Sequence, residues 1–75
     1  MAHKLTLQIG MRVLIKNNTL HYQFDAGKVK KVTSHLPNFG SQLAYGLDGD
    51  DGIWTAEDFV KCIDYPNKEI KLCSN

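Results

Sequence analysis

The chain has 75 residues, with nine basic against eight acidic side chains and two cysteines. A length of this order makes one domain with a thin core, which disfavours a deep desolvating cleft, and two cysteines are too few for a disulfide-rich scaffold. No stretch approaches the ~20 apolar residues of a membrane span and the N-terminus lacks a signal-peptide pattern, so a cytoplasmic chain with reduced thiols and no membrane partner is expected.

Apolar residues alternate along the chain instead of recurring at helical spacing, which predicts strands. Leu5, Leu7 and Ile9 alternate with Lys4, Thr6 and Gln8; after a bend or bulge at Gly10, Met11, Val13 and Ile15 continue the pattern. Leu14 is also apolar, so this second run is expected to be covered on much of both faces. Residues 17–26 are longer than a tight hairpin needs. Gly27 opens a further strand, Lys28 to Thr33, in which Val29 and Val32 stand three apart. A bulge near Lys30-Lys31 would turn both valines inward. Pro37, Asn38 and Gly40 predict a loop over 34–42. Leu43, Tyr45 and Leu47 form the cleanest alternating strand, followed by a turn at Asp48-Gly49-Asp50-Asp51-Gly52. Ile53 to Thr55 begins the return strand, Ala56-Glu57-Asp58 reads as one 3-10 turn, and Phe59 to Ile63 as the last core strand. The core is expected over about 7–64, with 65–75 an edge strand or a loose tail.

The order of these pieces resembles small bacterial SH3-like barrels. Ile9-Gly10-Met11-Arg12-Val13-Leu14-Ile15 looks like their opening strand, and Gly27-Lys28-Val29-Lys30-Lys31-Val32 like the G-x-V-x-x-V strand shared with the KOW motif. Leu43 to Asp48 and Gly52 to Val60 are similar to their later strands, acidic turn and 3-10 turn. The resemblance implies an all-β, five- to six-stranded barrel with one 3-10 turn before the last core strand. It implies no single function, since such barrels bind peptides, bind nucleic acids or serve as small subunits of complexes. The A-L-Y-D-Y signature and paired tryptophan of proline-rich-peptide binders are absent, which argues against PxxP recognition.

No catalytic motif is present. Counted from Asp48, the sixth and twelfth residues are Ile53 and Phe59, where a calcium loop needs Gly and a bidentate acid. His3, His21 and His35 are scattered, Cys62 sits in an apolar strand and Cys73 near the C-terminus, so neither a metal, a cofactor nor a Cys–His pair is expected. Charge is unevenly spread. Residues 1–35 hold six cations against one anion, net +5, and residues 45–64 hold six anions against one cation, net −5.

These features point to a non-enzymatic module that engages a protein partner through its loops and acidic turn. Tyr22, Phe24 and Phe39 are the expected apolar anchors, with Trp54 as a shared wall. Asp48, Asp50, Asp51 and Glu57 would steer a basic partner. An alternative is nucleic-acid binding through Arg12, Lys16, Lys28, Lys30 and Lys31, for which the competing explanation is a lysine-protected strand edge. A second alternative is a small structural subunit of a larger complex. Oligomeric state is left open.

Overall fold

Gly10 adopts a φ of +98°, a region that side chains avoid, and turns the chain from the extended N-terminal segment into β1 (Arg12–Ile15). The turn is held by the Gly10 N–H, which donates to the Val32 carbonyl at 2.8 Å. The computed structural model describes residues 4–17 and 25–73. After β1 come β2 (Val29–Phe39), β3 (Gln42–Leu47), β4 (Asp50–Thr55), a 3-10 turn (Ala56–Asp58) and β5 (Phe59–Cys62). They form an all-β domain whose antiparallel strands lie in the order β4-β3-β2-β1-β5. The sheet is not closed but is compatible with a small barrel. No helix among the described residues is long and apolar enough to cross a membrane.

β2 joins the two halves of the sheet. Its first residues pair with β1, Arg12 opposite Lys31 and Leu14 opposite Val29, while Val32 to Phe39 pair with β3. Register shifts between Val32 and Ser34 and between Leu36 and Phe39 bend the strand. The bulge expected at Lys30-Lys31 is absent, because the β1–β2 ladder runs through both residues without a shift. Val29 therefore faces outward, 49% exposed, and Val32 is fully buried.

The segment expected as a loop over 34–42 is instead the end of a long hairpin. Phe39 pairs with Gln42 around Gly40-Ser41. Gly40 has a φ of +65° while no described non-glycine residue has a positive φ, the signature of a II′ turn with glycine first. Backbone hydrogen bonding of β2 to β3 thus outweighs the loop signal of Pro37 and Asn38. The acidic turn is likewise shorter than its composition suggests, since Leu47 pairs with Asp50 and only Asp48-Gly49 lie between strands.

Leu5, Leu7 and Ile9 do not make a strand on one face. Leu5 forms an isolated parallel bridge with Ile70, Leu7 is buried and Ile9 is 64% exposed. The C-terminal segment is no loose tail. The Leu5 N–H donates to the Glu69 carbonyl and the Lys71 N–H to the Leu5 carbonyl, both at 2.7 Å, and the Leu43 N–H reaches the Leu72 carbonyl at 3.1 Å.

The core consists of Leu7, Val13, Ile15, Val32, Tyr45, Leu47, Trp54, Phe59 and Cys62, with Leu5, Met11, Leu43 and Ile70 packed on its margin. Trp54 stacks on Phe59 with centroids 6.3 Å apart, and Tyr45 meets His35 edge-on at 5.7 Å. The 3-10 turn follows because Asp58 reaches back to accept the Thr55 N–H at 3.1 Å, capping the turn with its own third residue. The Asp58 carbonyl then accepts the Lys16 N–H at 2.9 Å, fixing the turn to the end of β1.

Candidate functional site

The second half of β2, β3 and the β3–β4 hairpin frame a groove of about 430 Å³. Thr33, Ser34 and Leu36 line it from β2, Gly46 and Leu47 from β3, and residues 48–52 form its rim. Gly46 keeps the floor open. A Cβ there would meet the Ser34 hydroxyl, so a larger residue would have to displace that side chain. Asp48 and Asp51 are exposed, and no Lys or Arg is among the lining residues.

Asp50 points elsewhere. Its Oδ1 accepts the Gly52 N–H at 2.6 Å. Asp25, in the turn before β2, hydrogen-bonds to Asp50 side chain to side chain. That bond, with burial second, holds the Asp25 carboxyl above the usual carboxylate range. The same bond holds Asp50 below it. Lys30 completes the group, its Nζ 3.7 Å from Asp25 Oδ1. The Lys30 and Asp25 side chains are only 25% and 13% exposed.

The structure therefore divides the residues expected to act together. Asp48 and Asp51 share a rim, and Asp50 is committed to internal bonds. Phe39 is 63% exposed but lies at the opposite end of β3, about 17 Å away at the rise of a strand. Glu57 belongs to a different groove of about 520 Å³ between β5 and the C-terminal segment, together with Lys4, Lys16, Lys61 and Lys68. Trp54 is fully buried. The expectation that it forms a wall accessible to a partner is corrected, because stacking on Phe59 commits it to the core. Tyr22, Phe24, His3 and His21 lie outside the described residues.

The cations are divided too. Arg12 and Lys31 stand opposite each other on the exposed face of β1 and β2. Arg12 is tied to Asp64, its Nη2 2.8 Å from Oδ1 and its backbone N–H 2.9 Å from Oδ2. Lys30 turns to Asp25, and Lys16 lines the other groove. The five cations thus do not share one surface, and the Arg12–Asp64 ion pair joins the basic and acidic segments of the sequence.

Among the described residues, no three His, Cys, Asp or Glu side chains gather as a metal site. His35 serves the fold. Its Nε2 lies 2.7 Å from the Leu7 carbonyl and must donate there, since a carbonyl only accepts. Cys62 is buried and Cys73 exposed, both as free thiols. Sequence reading missed the Asp25–Asp50–Lys30 group. The three-residue spacing of Val29 and Val32 was its one signal, because an unbulged strand that buries Val32 must turn Lys30 to the same side. No known protein family, curated protein or solved structure matches this chain.

Proposed function

We propose that this domain is a non-enzymatic binding module that captures a basic, extended segment of a partner protein in the groove beneath the β3–β4 hairpin. The observation that carries this reading is the rim itself, two exposed aspartates over a floor of Leu36, Thr33 and Ser34, with no cation among the lining residues. Asp48 and Asp51 speed encounter with a basic partner and exclude an acidic one. Leu36 offers apolar contact, and the hydroxyls of Thr33 and Ser34 offer hydrogen bonds. Phe39 is a second contact for a partner that continues along the β2–β3 hairpin. The strand order, the bent β2 shared by both halves and the 3-10 turn before β5 support reading the sheet as a small SH3-like barrel. Barrels of that kind serve many functions, so the groove and not the fold supports this choice.

The test is titration of a labelled Lys/Arg-rich peptide containing leucine, beside an acidic peptide of equal length. The basic peptide should bind and the acidic one should not. Asp48→Asn with Asp51→Asn should raise Kd about fivefold or more, and added salt should weaken wild-type binding. Equal affinity of wild type and the double variant would remove the groove from the interaction.

A further inference from the structure

We propose that a second copy of this chain docks its acidic β3–β4 hairpin into the lysine-lined groove between β5 and the C-terminal segment, so that copies associate head to tail. That groove holds about 520 Å³. Lys16 reaches it from the end of β1, Lys61 from β5, and Lys4 and Lys68 from the two chain ends that form its far wall. Four lysines against Glu57 and Glu69 leave the lining an excess of two positive charges. Glu69 holds Lys4 loosely, at 3.8 Å between side chains 51% and 74% exposed, a contact that water weakens. The Lys68 ammonium rests over the Tyr65 ring, 5.6 Å from its centroid. Lys16 and Lys61 are therefore the cations on which the docking rests.

The hairpin carries the opposite charge. Asp48 and Asp51 are exposed, and residues 48–52 contain no cation. The Asp48 N–H donates to the Lys31 carbonyl at 2.9 Å and the Gly52 N–H to Asp50 at 2.6 Å, so these acids stand on backbone that is already ordered. Little ordering cost then falls on association. Within one copy the two surfaces are separate, since β4 and β5 are the outer strands of the sheet order and no residue lines both grooves. Apolar contact is available on each side. Val60 and Leu72, 56% and 38% exposed, line the lysine groove, and Ile53, 49% exposed, follows the hairpin acids. A net charge of +1 adds almost no long-range repulsion between copies. A nucleic acid suits the groove less well. Phe59, the aromatic residue of the lining, is buried against Trp54 and offers no ring to a base, and two glutamates oppose a run of phosphates. Because the contact joins two different surfaces, each end keeps one open hairpin or groove, and association grows with concentration instead of stopping at a dimer.

The experiment is sedimentation of the nuclease-treated full chain over a wide concentration range, at low and at high salt. The wild-type mass should rise with concentration at low salt and return to that of a monomer at high salt. Lys16→Gln with Lys61→Gln should shift this association to about fivefold higher concentration or more, and so should Asp48→Asn with Asp51→Asn. An equal mixture of the two double variants should regain association but stop at twice the monomer mass, since each supplies the surface that the other lacks. A wild type that stays monomeric at low salt would overturn the proposal, and that measurement needs no variant to fold. So would association that the lysine variant leaves unchanged, or an equal mixture that behaves like its separate components. A monomeric wild type that binds a single-stranded oligonucleotide or an acidic peptide through Lys16 and Lys61 would give the groove to that ligand instead. The inference shares Asp48 and Asp51 with the reading above but is tested without any basic peptide. A chain that associates and ignores the peptide, or binds the peptide and stays monomeric, separates the two.

Discussion

Lys30 stands opposite Val13 in the β1–β2 ladder, on the side of the sheet that carries the core. An ammonium there survives because its stem runs over apolar surface while its tip reaches the Asp25 carboxyl. Lys31, one residue on, faces outward opposite Arg12. Two adjacent lysines therefore answer differently to the same change. Lys30→Met should lower stability at neutral pH by roughly 1 kcal/mol, and Lys31→Met by less than about 0.5 kcal/mol. Toward acid the Asp25 carboxyl, held above the usual carboxylate range, gains its proton first, and the penalty for Lys30→Met should shrink. Urea melts at neutral and at acid pH would decide. Equal effects for the two lysines would contradict the register.

Trp54 is fully buried and stacked on Phe59, so its role is packing. Trp54→Ala should cost about 3–5 kcal/mol, a large share of the roughly 5–15 kcal/mol that holds a small domain together. The wild-type chain should show blue-shifted indole emission that resists acrylamide quenching until it unfolds. Addition of the basic peptide should leave that quenching unchanged. Peptide-induced protection of an already accessible indole would restore Trp54 as a contact residue.

The strands were legible where one face is wet and the other dry. Val13 with Ile15, and Tyr45 with Leu47, are core pairs at a two-residue period. The 3-10 turn was legible too, because Ala56-Glu57-Asp58 sits between two strand runs. What escaped was long-range. Whether Pro37 and Asn38 lie in a loop or a hairpin depends on the bonds β3 offers across it, and composition does not record those. The bridge from Leu5 to Ile70 joins residues at opposite ends of the chain, beyond any periodicity argument. At the candidate groove, the exposure of Asp48 and Asp51 was legible because turn acids are local features. Trp54 was misassigned because burial is decided by what stacks on it. Lys30 and Asp25 went unseen because their partner, Asp50, arrives from another strand.

Gly46 and Ser34 are cross-strand partners, and a Cβ at Gly46 would meet the Ser34 hydroxyl. Gly46→Ala should therefore destabilise the domain by about 1–3 kcal/mol through overpacking. Adding Ser34→Ala removes the obstructing oxygen and leaves its Cβ at 3.7 Å, an ordinary contact. The double variant should recover most of the loss, a coupling readable in a double-mutant cycle. Additive effects would place the cause of the Gly46 penalty elsewhere.

Asp64 accepts both the guanidinium and the backbone N–H of Arg12, and these hydrogen bonds hold its carboxyl below the usual range. A carboxyl depressed by folding adds stability above its unfolded ionisation, and that stability disappears as pH falls through the folded value. Asp64→Asn should therefore lower Tm at neutral pH and have a diminishing effect toward acid. Salt should reduce the difference only in part, since the backbone bond is short-range. A Tm difference that stayed constant from neutral to acid pH would rule out the carboxylate's charge as its source.

Ile70 packs on the margin of the core, in a segment hydrogen-bonded to Leu5 on one side and, at Leu72, to Leu43 on the other. That segment joins the N-terminal run to β3, so weakening it should loosen elements far apart in sequence. Ile70→Ala should cost about 1–3 kcal/mol, near the low end for an aliphatic truncation because the side chain is only partly buried. The two free thiols report the consequence separately. Cys73 is exposed and should react with a maleimide at once in both proteins, whereas Cys62 is fully buried and reacts only when the core opens. Mass spectrometry should find Cys62 modification faster in Ile70→Ala, roughly tenfold for each 1.4 kcal/mol lost if opening is the global transition. A measurable loss of stability with an unchanged Cys62 rate would mean that the segment frays by itself, and that the core under it does not depend on the staple.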